Sequence, residues 1–154
     1  MKNLKIFLFI IFFSILPNFS YSQSMLPLEN YLNEQKNHLD DPTVLLYLSE
    51  RCSALFFYMS IISDTRPEPE TKKLSNQAKN ISEKILLTGY NILKEKFNKS
   101  SKDAMDMVKT GLTKKAGDYT IDGKDLHSKT GSYYSGYIKK DIDICKVIFK
   151  KVLN

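Results

Sequence analysis

The side chains in this sequence best suited to chemistry fall into three groups. The first is Asp118, Asp122, Asp125 and His127, four titratable residues within ten positions. Carboxylates at that density on a flexible loop are the oxygen donors a divalent cation prefers. The spacing departs from an EF-hand, whose alternating acids and closing Glu are missing. Asp122 and Asp125 are better explained as the cap and first-turn acids of a helix, where acids meet its positive end. The second group is Tyr133, Tyr134 and Tyr137, with Tyr119 nearby and Gly131 and Gly136 between. Tyrosine offers rigid contact area with a hydrogen-bonding tip, so Tyr133, Tyr134 and Tyr137 form the candidate binding surface. The same rings would also pack across the end of a helical bundle where glycines make room.

The third group is Cys52 and Cys145, 93 residues apart. That separation excludes a CxxC redox motif, and no further Cys or His lies close enough in sequence to complete a zinc set. A disulfide between them is the expected chemistry in an oxidising compartment. Closing so long a loop stabilises by about 4–5 kcal/mol in the chain-entropy picture.

Other catalytic patterns fail on inspection. Gly131 to Gly136 has the glycines and serines of a hydrolase elbow but not the GxSxG spacing. Gly117 to Asp125 has the composition of a phosphate loop, yet its glycines are misplaced and Lys124 precedes Asp125 instead of Ser or Thr. Two histidines cannot furnish HExxH without the intervening motif, which is absent. Asp141 and Asp143 stand two apart, on different sides of a helix, and so cannot serve one cleft as a pair. The sequence therefore assigns no catalytic residue, no metal ligand and no cofactor.

The elements that must position these residues begin at an N-terminal leader. Lys2 and Lys5 precede an apolar run from Ile6 to Leu16, Pro17 and Asn18 break it, and Ser20 and Ser22 suit cleavage before Gln23. This is the layout of a secretory signal peptide over residues 1–22. The run falls short of the roughly 20 apolar residues that span a bilayer. The expected mature chain, 23–154, is one domain of 132 residues, enough to bury about two-thirds of its unfolded surface. The whole chain carries 23 basic and 17 acidic residues; without Lys2 and Lys5 the excess is +4. Only Arg51 and Arg66 are arginines and Trp is absent, which argues against a nucleic-acid reader.

Periodicity then predicts helices throughout and no strands. Leu28, Tyr31, Leu32 and Leu39 mark a short amphipathic N-terminal helix. Asp41 and Pro42 start a helix to about residue 63, apolar nearly all round, with a polar strip at Glu50, Ser53 and Ser60. Its length admits a membrane span, but Glu50 and Arg51 at its middle favour a core helix. A second long helix is expected over 70–97, with Gly89 at a close crossing. Ser100 and Asp103 open a third, expected to stop near Ala116 and Gly117 before a loop over 118–123. A last helix is expected over 124–153, kinked or broken at Gly131 and Gly136. The fold class is thus all-α: an antiparallel bundle of four main helices plus a short N-terminal one, stapled by one disulfide.

Function follows only coarsely. The expectation is an exported protein, periplasmic or secreted, without a membrane span in its mature chain, binding an unidentified protein or small molecule. The alternatives are a carboxylate-dependent or metal-assisted hydrolase, and a structural envelope or stress protein.

Overall fold

The computed structural model describes residues 25–35, 39–134 and 136–150. The expected leader and His38 lie outside these residues. Among them there is no strand, and the helices run α1 (Leu28–Glu34), α2 (Pro42–Asp64), α3 (Pro69–Glu95), α4 (Ser101–Thr130) and α5 (Gly136–Ile148). The all-α bundle and its Cys52–Cys145 disulfide are as expected.

Helix α2 is the axis of the fold. It packs against α3, α4 and α5, whereas α1 lies along α5 and reaches α2 through Tyr31, whose ring centroid is 4.1 Å from that of Tyr47. Asp41 caps α2, its carboxylate accepting from Thr43 N–H at 2.7 Å, and Pro42 opens its first turn. Of the described helices, only α2 is long and apolar enough to cross a membrane, and more than half of its most apolar stretch is buried within the fold.

Of the polar strip expected on α2, Ser53 and Ser60 lie on its seam with α3, joined there by Ser49, whereas Glu50 turns to α4 and pairs with Lys115. Ser49, Ser53 and Ser60 are buried, and face Gly89, Ser82 and Ser75 of α3 respectively. Ser53 Oγ donates to the Ser82 carbonyl and Ser82 Oγ to the Ser53 carbonyl, both at 2.8 Å, while Ser75 Oγ donates to the Ser60 carbonyl at 2.9 Å. Short side chains let the two helices approach closely; Ser53, Ser75 and Ser82 donate to carbonyls on the opposite helix, and Ser49 and Ser60 to the Leu46 and Phe57 carbonyls of α2 itself. A Cβ at Gly89 would collide with Ser49 Oγ, so the close crossing expected there is present.

Two expected boundaries need correction. Helix α4 does not stop at Gly117 but continues to Thr130, so the predicted loop 118–123 and the start of the predicted last helix are its second half. One interior glycine costs a helix only about 1 kcal/mol. Burial of Ala116, Tyr119, Asp122 and Gly123 outweighs that cost. The break comes at Gly131, which closes α4 in the left-handed region (φ 72°), and α5 starts at Gly136 (φ 58°).

Candidate functional site

One face of α5 carries a tie to the rest of the bundle at every turn. Tyr137, Asp141 and Cys145 follow at intervals of four, and all three are buried. The Tyr137 hydroxyl donates a short hydrogen bond to the Asp122 carboxylate on α4. Asp141 meets Arg51 of α2, and Cys145 is bonded to Cys52 of α2.

The middle tie is a closed polar network. Arg51 and Asp141 have no exposed surface. Arg51 Nη2 donates to Asp141 Oδ2 at 2.7 Å, its Nε to the Tyr119 hydroxyl at 2.8 Å, and its Nη1 to the Tyr47 hydroxyl at 3.0 Å. Tyr119 in turn donates to Asp141 Oδ2 at 2.7 Å. Asp141 Oδ1 accepts the backbone N–H of Leu28 at 2.9 Å, satisfying an orphan donor at the start of α1. Four helices thus meet at one carboxylate.

The electrostatics match this geometry. Burial alone would lower the Arg51 guanidinium, but Tyr119 and Asp141 beside it hold it above its ordinary value. Burial drives the Tyr119 phenol well above its usual range, against the pull of Arg51. Tyr137 is pushed up by burial and by its bond to Asp122, and Tyr58 by burial beside Tyr134 and Tyr133. A general base must reach a substrate proton, directly or through one water. Asp141 is enclosed on all sides and spends its oxygens on Arg51, Tyr119 and Leu28. The arrangement holds helices together and offers no approach to a substrate.

Residues expected to act together are distributed differently. Tyr137 lies in the core, whereas Tyr133 and Tyr134 are half-buried at the end of the bundle. Tyr133 stacks on His127 with ring centroids 4.0 Å apart, and its carbonyl accepts from the Tyr58 hydroxyl at 3.2 Å. Tyr134 meets Tyr58 edge-on at 6.3 Å. The acidic group is helical, with Asp122 bonded to Tyr137 and Asp125 to Lys129 at 2.7 Å. Among the described residues no group of three or more His, Cys, Asp or Glu side chains is placed to hold a metal ion.

The surface feature absent from the sequence analysis is a groove between α1 and α5. Leu32, Leu39, Ile144, Val147 and Ile148 line about 370 Å³ of it, with Asp143 at the edge. An adjoining hollow of about 400 Å³ is bounded by Glu29, Asn33 and Lys140. Val147 is 76 % exposed, and Leu39 is 41 % exposed. Glu29 and Lys140 form an ion pair across the rim at 3.0 Å.

No protein-family model, curated protein or solved structure matches the chain. The candidate site rests on geometry alone. The signal for the core network was present in the sequence: a disulfide sets the register of α2 against α5, which brings Arg51, next to Cys52, alongside Asp141, one turn before Cys145. The groove carried no such signal, because it exists only once α1 lies along α5.

Proposed function

We propose that this chain is an exported interaction module that docks a partner over the α1–α5 face. The observation that carries the proposal is a separation of chemistries. The buried polar groups of the core are bonded to one another, while an apolar groove with Val147 beside it stands open to solvent. Open apolar surface bordered by charge is characteristic of a binding face. Export is supported by the leader pattern of residues 1–22 and by the disulfide, whose chemistry belongs to an oxidising compartment.

Hydroxyl-radical footprinting tests the docking face. Protein in the native exported fraction is compared with the same protein purified and diluted. Leu39, Ile144 and Val147 should be protected in the first and labelled in the second, and intact mass should place the first residue at Gln23. Equal labelling of the three residues in both samples would remove the docking face.

A further inference from the structure

We propose that the partner seated on the α1–α5 face is a second copy of this chain, related by a two-fold axis. The inference rests on the docking face proposed above and names its occupant. Charge is divided across this face. On one side, Glu29 and Glu34 of α1, with Asp40 and Asp41 ahead of α2, are exposed. On the other, α5 and the residues following it expose Lys139, Lys140, Lys146 and Lys150 against Asp143. The apolar strip of Leu32, Ile144, Val147 and Ile148 runs between the two halves.

A partner carrying one sign of charge would match one half and be repelled by the other. A two-fold axis through the strip lays each copy's basic half on the other's acidic half, at both ends at once. The same rotation brings the protruding Val147 of each copy to the apolar groove of the other. Attraction between the halves already operates within the chain, in the Lys140–Glu29 pair. Helix α1 spans 7 residues and α5 spans 13, so the face is small. Small interfaces make weak complexes, and a Kd of about 10–100 µM is expected.

Sedimentation equilibrium of the exported, disulfide-bonded protein across that concentration range should show the weight-average mass rising from monomer toward dimer. Val147→Glu should weaken association at least about tenfold. Two charge-reversed variants supply the decisive arm: Glu29→Lys with Glu34→Lys makes both halves basic, and Lys146→Glu with Lys150→Glu makes both acidic. Neither should self-associate, while an equimolar mixture should form a one-to-one dimer. Circular dichroism and thermal melting confirm that each variant is folded, since all the altered residues are exposed.

A wild-type monomer at every concentration overturns the proposal, as does a dimer indifferent to Val147→Glu and to charge reversal. If the protein is monomeric but the face remains protected in the exported fraction, the docking face stands and its occupant is a different molecule. If protection is also absent, both proposals fall.

Discussion

Asp141 joins more of the molecule than any other described side chain, since its two oxygens serve α1, α2 and α4 from a position on α5. A buried ion pair is weak evidence of net stabilisation, because removing both charges from water is expensive. Breaking one half is a different matter. Asp141→Asn leaves the Arg51 guanidinium enclosed without an anion, and it sets an amide donor against donors already present. The expected loss is about 3–5 kcal/mol in urea denaturation. Arg51→Met combined with Asp141→Leu should lose less than the two single changes added together, because no orphan charge remains. A loss below about 1 kcal/mol for Asp141→Asn would show that water reaches the pair.

At the scale of elements, the two glycines in the second half of α4 do opposite work. Gly117 faces open space, so Gly117→Ala should stabilise by about 0.5–1 kcal/mol through helix propensity alone. A Cβ on Gly123 would strike the Tyr58 hydroxyl and ring, and Tyr58 is enclosed and bonded to the Tyr133 carbonyl. Gly123→Ala should therefore destabilise by about 1–3 kcal/mol despite the better helix former. Paired thermal melts that move in the same direction would refute this assignment. These glycines also explain what the sequence could and could not reveal. Helix positions, the Asp41 and Ser100 caps and the close crossing at Gly89 followed from local chemistry, because periodicity and caps act within a turn or two. The end of α4 did not, because Asp122-Gly123 reads locally as a turn. Its real reason is a tyrosine arriving from α2, 65 residues earlier. The groove was invisible for the same cause, being a contact between the first and last helices.

At the scale of the whole molecule, three buried phenols stand among the aliphatic side chains of the core. Tyr58, Tyr119 and Tyr137 are stacked in sequence, with ring centroids 6.0 and 6.3 Å apart, and link α2, α4 and α5. All three are held above their ordinary value of 10, with burial as the leading cause. Below pH 10 these phenols are protonated in both the folded and unfolded chain, so their contribution to stability is fully present. Above pH 10 the unfolded chain releases protons that the folded chain keeps, so the unfolded state gains and stability falls. The slope is up to about 1.4 kcal/mol per pH unit for each tyrosine still protonated in the fold. With three acting together the decline should be steep and cooperative. An alkaline titration followed by tyrosinate absorbance and by helical circular dichroism checks this. A late group of tyrosines should ionise within the same narrow interval in which the helices melt. Smooth ionisation of every tyrosine while helicity persists would mean that the stacked phenols are open to solvent, and that the core is looser than its hydrogen bonds require.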